Sequence, residues 1–299
     1  MLAIIIPYYK LTFFDATLQS LLSQTDNRFK VYIGDDASIE SPLVLLEKCQ
    51  DRIDFNYNRF QVNYGSFSLV KQWNRCLEMI NDEEWVMFLG DDDVLQDNIV
   101  SEFYRNLNEI NMQVDVVRFS TCKIDALGLI TSPNFTHPKL EYSADFLFRN
   151  VGSSLSEYVF RRNKVIEIGF RDFPLGWYSD VLAVLEFSNF KNVYSINTAK
   201  VFVRITDLSI SGKKDNVKLK QKATFNFYYY LIMFKLNYFN PFQRIELFKQ
   251  INKCYINDKK NYTFFFKLTY FYWSRLLVVQ YFQFLRSSIV NIINAKTCE

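Results

Sequence analysis

The stretch WVMFLGDDD, at residues 85–93, decides the fold of this chain of 299 residues. Five apolar residues run into Gly90 and three consecutive aspartates, which indicates a buried strand that ends in a polar turn. The same order occurs in LAIIIPYY at 2–9 and in FKVYIGDD at 29–36. Because strands that alternate with helices form a mostly parallel sheet, these three polar ends are expected to meet at the edge where such sheets bind ligands.

The rest of the chain extends this prediction of an α/β fold. Helices are predicted at 11–22, 43–49, 67–80, 99–107 and 179–190, and further strands at 53–58, 114–120, 156–162 and 199–205. From Lys213 the pattern is helical only and is broken at Asn240-Pro241. We therefore expect an α/β domain at 1–212. A helical extension at 213–299 follows it.

The composition excludes several classes of protein. With 49% hydrophobic and 22% charged residues, the chain is globular. Only eight glycines are present, which argues against glycine-rich phosphate loops. His137 is the single histidine, which argues against a metal site made of several histidines; flanked by Pro133 and Pro138, it is expected in a surface loop.

The cysteines and the apolar runs bear on location. The cysteines are far apart and form no C-x-x-C pair, which is typical of reduced thiols in a cytosolic protein; they are Cys49, Cys76, Cys122, Cys254 and Cys298. The N-terminal apolar run lacks a basic leader and is too short for a membrane helix. Basic residues interrupt the C-terminal apolar stretches, so we predict a cytoplasmic protein without a transmembrane segment.

The net charge of +3 hides a division between the two parts of the chain. Residues 213–299 hold fifteen basic and four acidic residues, whereas residues 1–212 hold 20 basic and 28 acidic residues. In the C-terminal part, basic residues interleave with Phe and Tyr, a pattern typical of helices on a membrane surface. This predicts peripheral contact with the inner face of the plasma membrane. Packing on the core, or on a second copy of the chain as a homodimer, explains the pattern equally well.

The aspartate triplet indicates a metal site. Three neighbouring carboxylates repel one another unless a cation lies between them, and Mn²⁺ and Mg²⁺ combine one or two carboxylates with phosphate and water. The alternative is a solvated turn that caps the helix starting near Asp97. A wholly apolar strand before the triplet and a second acidic pair on a neighbouring strand favour the metal.

Several stretches, in the right order, resemble the family 2 glycosyltransferases with the GT-A fold. They are IIIPYYK at 4–10, LQSLLSQT at 18–25, VYIGDDAS at 31–38, NYG at 63–65, QWNRCLE at 72–78 and FLGDDDVL at 88–95. Looser matches follow in SEYVFRR at 156–162, GWYSDVLAVLEF at 176–187 and VRITDLSISG at 203–212.

The resemblance implies a role for each matching residue of the donor site. The residues placed at the nucleotide are Pro7, Tyr8, Tyr9, Asp36 and Asp91, with the second acid of the Asp35-Asp36 pair accepting from the ring N–H of a uridine-type base. Asp92 would bind the metal, and Asp93 would support it or hold the loop. A register shifted by one residue, with Asp91 and Asp93 as the DxD pair, stays open.

The resemblance also implies that the domain at 1–212 divides into a nucleotide-binding half at 1–120 and an acceptor half at 121–212. Asp180 would be the catalytic base, while the alternative is that Ser179-Asp180 only caps a helix. Trp177 and Tyr178 would stack on an acceptor sugar or lie in the core. Relatives often carry an Arg-x-His segment here, but this chain reads Arg204-Ile205-Thr206. Either Asp207 or water would then take that histidine's place, or the site would hold its metal less tightly.

The implied reaction is an inverting transfer of a sugar from a nucleotide-diphosphate donor, such as a UDP-sugar, to a glycan or lipid-linked acceptor in surface polysaccharide synthesis. Two rival functions remain at this point. A nucleotidyltransferase shares the carboxylates, but PYYKLTFFD is not its usual glycine-rich opening loop. A non-catalytic nucleic-acid-binding module fits the basic aromatic segment, but the acidic N-terminal part opposes nucleic acid.

Overall fold

The computed structural model describes residues 1–149 and 152–296. The chain divides into two compact units, Met1–Asn216 and Val217–Glu299. The sequence-based boundary lay four residues earlier, after residue 212. Residue 120, where a boundary between two halves was expected, lies inside a strand of the first unit.

Nine strands of the described residues form one sheet in the first unit. They are β1 (Leu2–Tyr8), β2 (Phe29–Asp35), β3 (Phe55–Arg59), β4 (Trp85–Phe88), β5 (Val94–Leu95), β6 (Val116–Ile124), β7 (Leu140–Tyr142), β8 (Tyr158–Arg161) and β9 (Asn192–Arg204). The order is β3-β2-β1-β4-β8-β6-β9-β5, and β7 also pairs with β9. Strands β1, β2, β3, β4, β6 and β9 run parallel to one another. The predicted α/β fold with a mostly parallel sheet is confirmed.

Helices cover both faces of this sheet. In the first unit they are α1 (Phe14–Leu22), α2 (Leu43–Glu47), α3 (Leu69–Leu77), α4 (Ile99–Gln113), α5 (Ser143–Phe146), α6 (Arg162–Ile168) and α7 (Ser179–Phe187). Side chains of a strand alternate between faces, so Ile4 and Ile6 of β1 pack in the cluster with α1 and α4, while Ile5 packs with α3 and α7. This alternation explains why β1 is apolar at every position: both of its faces are covered.

The structure refines two of the predicted strands and adds helix α6, which the sequence did not predict. Strand β8 lies antiparallel between β4 and β6, and α6 follows it directly. Strand β9 begins at Asn192, seven residues before the predicted start, because its first half already pairs with β6 and β7. The insertion of β8 brings the segment before it to the carboxyl ends of the parallel strands.

The second unit is helical, as predicted. Its α-helices are α8 (Val217–Tyr230), α9 (Pro241–Asn257), α10 (Tyr262–Ser274) and α11 (Val278–Lys296), with a short π-helix at Leu231–Lys235 and a 3₁₀ helix at Leu236–Tyr238. The predicted break at Asn240-Pro241 is the start of α9, where the Asn240 side chain caps the N–H of Gln243. No helix in the described part of the chain is both long and apolar enough to cross a bilayer.

Candidate active site

The first acid of the triplet joins two strand ends. Strands β1 and β2 end side by side, with Tyr8 opposite Asp35, and β4 lies on the other side of β1. Beyond β4, the Asp91 carboxylate accepts hydrogen bonds from the backbone N–H groups of Tyr9 and Lys10, both at 2.7 Å. Burial, and then the neighbouring Asp92, raise the pKa of Asp91 to about 6. The triplet therefore closes over the end of β1, as expected for polar ends that share one edge of the sheet.

Asp93 holds the loop of the triplet in place. It is buried, and its two carboxylate oxygens accept hydrogen bonds from the Ser156 hydroxyl at 2.5 Å and from the Arg204 N–H at 2.8 Å. Arg204 also donates from Nε to the backbone carbonyl of Asp92 at 2.9 Å, and its guanidinium lies over the Phe13 ring. With both oxygens engaged, Asp93 serves to fix the backbone on which Asp92 stands.

Asp92 differs from its two neighbours because its carboxylate accepts from no other residue in the described part of the chain. It is half-buried, and only its own backbone N–H donates to it. Burial, and then the charge of Asp93, raise its pKa to about 7, while Lys10 and Arg204 act in the opposite direction. A partly desolvated carboxylate beside two others is a group that a cation would stabilise.

This arrangement fits one protein ligand to a divalent cation rather than a complete metal cage. Among residues 1–149 and 152–296, no group of three or more Asp, Glu, His or Cys side chains has the geometry to hold a metal. Mg²⁺ and Mn²⁺ accept such a partial set, because they take one or two carboxylates and fill the other positions with substrate phosphates and water. Asp92 is the carboxylate that remains available for this.

Asp36 anchors the wall of a cavity next to β2. It is buried, accepts from the N–H groups of Tyr64 and Gly65 at 2.7 Å each, and pairs with the Arg75 guanidinium. Gly65 is required here because a Cβ would lie 2.5 Å from Asp36 Oδ2. Burial is the main cause that raises the pKa of Asp36. The cavity measures about 460 Å³ and is lined by Phe60, Tyr64, Lys71, Asn74, Arg75 and Glu78.

Arg75 is placed by aromatic rings as well as by charge. Its guanidinium lies 4.1 Å from the centre of the Phe60 ring and 4.3 Å from that of Tyr64. Gln72 accepts from Arg75 Nε and donates to the carbonyl of Gly34 at 2.7 Å. These contacts fix a cation beside two ring faces at the rim of the cavity.

The structure corrects the sequence-based placement of Tyr8. Its ring is fully buried against Phe14, and its hydroxyl donates to the Glu40 carbonyl at 2.7 Å. The reason is the two-residue period of β1, which extends through Tyr8 and directs it into the same core as Ile4 and Ile6. The next residue, Tyr9, is 39% exposed, and Pro7 is half-buried.

Asp35, the first acid of the pair, is held by contacts of its own. It accepts from the Ser38 N–H at 2.8 Å and from the Tyr57 hydroxyl at 2.7 Å. A salt bridge with Arg59 at 3.5 Å completes its environment. Asp35 is therefore a structural residue that fixes the turn carrying Asp36.

Asp180 lies in the first turn of α7 and is half-buried. It is not the cap of that helix, since the N-cap is Tyr178, and Asp180 instead accepts from the backbone N–H of Val181 and of its own residue. The Ser153 hydroxyl donates to Asp180 at 3.5 Å. Burial raises the pKa of Asp180 to about 6.

One short segment connects Asp180 with the triplet. Ser153, which contacts Asp180, also contacts the Tyr158 hydroxyl at 3.0 Å. Three residues along, Ser156 contacts Asp93 and accepts from the N–H of Gly90 at 3.0 Å. Residues 153–158 therefore contact both Asp180 and the triplet, through the hydroxyls of Ser153 and Ser156.

The loop before α7 carries the predicted acceptor residues in an unusual backbone conformation. Leu175, Gly176 and Tyr178 have positive φ angles of 64°, 64° and 69°. A Cβ at residue 176 would lie 3.1 Å from the Trp73 ring, so the glycine lets this loop approach α3. Trp177 and Tyr178 are both half-buried, with their rings 6.3 Å apart. Such strain is held by surrounding contacts and concentrates at functional sites.

The structure also bears on the predictions for His137 and for the cysteines. His137 is buried, not on the surface, because Arg149 contacts its Nδ1 at 2.6 Å and Asn197 accepts from its backbone N–H. Burial lowers the pKa of His137 to about 3. Cys49, Cys76, Cys122 and Cys254 are free thiols, as predicted, while Cys298 lies outside the described residues.

Sequence reasoning missed the residues that support the carboxylates. Ser156, Arg204 and Lys10 contact the triplet and its loop, and Arg75 contacts Asp36. Arg204 alone carried a signal, because a charged residue ends the apolar alternation of β9. The others become recognisable only when distant segments meet.

An acidic carboxyl edge on a helix-covered, mostly parallel sheet is the arrangement expected of a glycosyltransferase of the GT-A class. The family model described as Glycosyl transferase family 2 matches residues 3–165, more than half of the chain, and the chain belongs to this family. The family recognised in the sequence is thereby confirmed. No curated protein sequence matches the chain.

Solved structures of S. aureus TarS share the fold. The structure of TarS residues 1–349 with UDP-GlcNAc superposes with a TM-score of 0.63 at 14% identity, covering 85% of this chain and 71% of that one. The structure of S. aureus TarS gives 0.62 at 14% identity, covering 85% and 43%. The complex of residues 1–349 with UDP gives 0.53 at 13% identity, covering 85% and 80%.

Proposed function

We propose that this glycosyltransferase moves a sugar from a uridine-diphosphate sugar to a hydroxyl of a glycan or lipid-linked acceptor, with inversion, in the synthesis of a surface polysaccharide. The observation that carries the proposal is the pairing of two carboxylates on one support. Segment 153–158 holds the available Asp92, through Asp93, and the half-buried Asp180. A donor site needs a carboxylate such as Asp92 for its metal ion, and the transfer needs a base such as Asp180.

The nucleotide would occupy the region between the end of β1 and the Asp36 cavity. Tyr9 is exposed enough to contact it, with Pro7 and Asp91 beside it. Asp36 Oδ2 accepts only from Gly65 among the described residues, which leaves one lone pair for a ring N–H of the base. The fully buried Tyr8 is left out of this site. UDP-GlcNAc and UDP are the ligands of the TarS complexes with the same fold, which supports a uridine nucleotide.

Asp92 would hold Mn²⁺ or Mg²⁺ together with the donor's diphosphate, and Asp93 would keep Asp92 in place. When bound, such a cation stabilises the negative charge that develops on the leaving diphosphate. Lys10 would also stabilise the negative charge of the diphosphate. Its Nζ donates to the Leu208 carbonyl at 2.6 Å and lies close enough to Asp92 to lower the pKa of that residue.

Asp180 would remove the proton from the acceptor hydroxyl as that hydroxyl attacks the anomeric carbon. A pKa of about 6 leaves the carboxylate ionised at neutral pH and still basic enough to accept a proton. The attack from the face opposite the diphosphate inverts the configuration in one displacement. Trp177 and Tyr178, on the strained loop before α7, would contact the acceptor sugar.

A donor screen tests the proposal. The melting temperature of the full chain is measured with UDP-, GDP- and dTDP-sugars, with Mn²⁺ and with EDTA. We expect the largest stabilisation from a UDP-sugar with Mn²⁺, because ligands that bind only the folded state raise its stability. A guanosine or thymidine nucleotide that stabilises more strongly would contradict the uridine assignment, and stabilisation independent of the metal would contradict the role of Asp92.

A further inference from the structure

Helix α10 presents aromatic side chains to solvent along one face. Their spacing of four, four and three residues places them on a single stripe. This aromatic stripe consists of Tyr262, Phe266, Tyr270 and Trp273, which are 75%, 66%, 63% and 54% exposed. The other side of the helix is already used for packing, through Phe264, Leu268, Phe271 and Tyr272. The stripe is therefore in excess of what the fold of this unit needs.

Helix α11 also exposes apolar side chains, most of them aliphatic. Phe284 is fully buried, whereas a set of apolar residues on the remaining surface of the helix is exposed: Val279, Phe282, Ile289 and Val290. Leu276, in the connection between the two helices, is 82% exposed. The Trp273 ring lies 5.7 Å from Tyr281, so the end of the aromatic stripe adjoins the start of α11. Exposed apolar groups on this scale mark an interaction surface.

Residues 259–298, which include both helices, carry charges of one sign only. From 259 to 298 the chain contains no acidic residue, and its basic residues are Lys259, Lys260, Lys267, Arg275, Arg286 and Lys296. Lys259 and Lys260 directly precede the aromatic stripe, and the exposed Arg275 follows it. The stripe is thus flanked by positive charge at both ends.

We propose that the exposed faces of α10 and α11 bind the surface of a membrane that contains anionic lipid. Phe and Leu side chains bury in the boundary between headgroups and acyl chains, where the amphipathic rings of Tyr and Trp are also favoured. Lysines and arginines beside them are attracted to anionic headgroups. The inference stands independently of the proposed sugar transfer.

The same observations disfavour the other occupants of this surface. A second copy of the chain would bring two surfaces of like charge together, with no acidic residue between 259 and 298 to compensate. Proteins bind single-stranded nucleic acid through aromatic rings and basic residues. Exposed aliphatic residues such as Leu276, Val279 and Ile289 have no role in that binding. An anionic bilayer matches the rings, the aliphatic groups and the charges at once.

Flotation with vesicles tests the proposal on the full chain. The wild type is compared with Phe266→Ser/Trp273→Ser and with Lys259→Gln/Lys260→Gln, on vesicles of phosphatidylcholine with and without phosphatidylglycerol. The matched control is Met112→Ser/Ile166→Ser, which removes two exposed apolar residues of the first unit, at 77% and 56% exposure. Circular dichroism and melting temperature establish that each variant is folded, and the lysine variant remains informative should the aromatic variant not fold.

We expect the wild type to bind vesicles with phosphatidylglycerol and to lose this binding in high salt. The aromatic variant should bind at least about tenfold more weakly, because it lacks two rings that would bury in the bilayer. The lysine variant should bind about tenfold more weakly, because it lacks two positive charges. The control should bind as the wild type does. Absence of binding to anionic vesicles, or binding that neither variant weakens, would overturn the proposal. So would tighter binding to polyuridylate than to vesicles, or dimerisation that the aromatic variant abolishes.

Discussion

The two units of this chain carry opposite charge and use it in different ways. Residues 1–216 hold 22 basic and 29 acidic residues, and residues 217–299 hold 13 and 3. In the first unit, Asp36, Asp91 and Asp93 each accept hydrogen bonds from named donors. In the second unit, the lysines and arginines lie beside exposed aromatic rings.

This difference separates two kinds of recognition. Carboxylates held by individual hydrogen bonds define positions to within a fraction of an ångström, which suits a small ligand and a metal ion. Charges of one sign spread along helices define an area instead, which suits an extended anionic surface. A net charge of +3 for the whole chain conceals both.

The largest effect is expected from the proposed base. Asp180→Asn keeps the shape of the side chain but removes its ability to accept a proton, so turnover should fall roughly 10²- to 10⁴-fold while donor binding is retained. Product formation is followed by chromatography, and donor binding by the shift in melting temperature. The matched control is Asp82→Asn, at an exposed carboxylate, which should keep full activity. Turnover of the Asp180 variant near the wild-type level would remove Asp180 from the mechanism.

Neighbouring alanine substitutions should have opposite effects on stability. Asp92→Ala removes a carboxylate that its neighbours repel and that no other residue of the described ranges donates to. It should therefore raise the melting temperature in EDTA by roughly 2–4 °C, the shift that about 1 kcal/mol gives in a domain of this size. Asp93→Ala leaves Ser156 and Arg204 without their acceptor and should lower the free energy of unfolding by about 1–3 kcal/mol.

Calorimetry of the two variants in EDTA measures both effects, and addition of Mn²⁺ should stabilise the wild type but not the Asp92 variant. Destabilisation by Asp92→Ala of the same size as by Asp93→Ala would show that the two carboxylates do not have different roles.

The pH dependence sharpens the same contrast. The folded pKa of Asp92, at about 7, lies above its ordinary value of 3.8, so the folded state binds the extra proton between these two values. Ionisation of Asp92 therefore lowers the free energy of unfolding: the loss is absent below pH 4, grows as the pH rises, and is complete above pH 7. The stabilisation by Asp92→Ala should follow this course. Melting curves in EDTA from pH 4 to pH 8 measure it, and a difference that shrinks as the pH rises would contradict the raised pKa.

A smaller effect is expected on the acceptor side. Trp177→Ala should raise the KM for the acceptor about tenfold, since stacking of a sugar on an indole is worth on the order of 1 kcal/mol, and should leave the KM for the donor unchanged. Initial rates with each substrate varied in turn separate the two constants. An equal rise in both would assign Trp177 to the packing of the loop.

Hydrophobic pattern predicted most strands and helices of the first unit because both faces of β1, β2 and β4 are buried and their runs end at polar residues. It did not predict the antiparallel placement of β8, since SEYVFRR indicates a strand but not its direction. The two-residue period of β1 contained the information that Tyr8 faces the core, and the assignment of Tyr8 to the nucleotide overlooked it. The contacts of Asp93 with Ser156 and Arg204 join residues 63 and 111 positions apart, which no local pattern indicates.

The central claim is that Asp92 receives a divalent cation and a nucleoside diphosphate at the carboxyl edge of the sheet. A crystal of the full chain soaked in MnCl₂ and UDP, with anomalous diffraction recorded at the manganese edge, tests it most directly. The account predicts one strong anomalous peak within coordination distance of an Asp92 carboxylate oxygen and of the UDP phosphates. UDP bound at this edge with no manganese beside Asp92, or manganese bound at a different carboxylate, would contradict it.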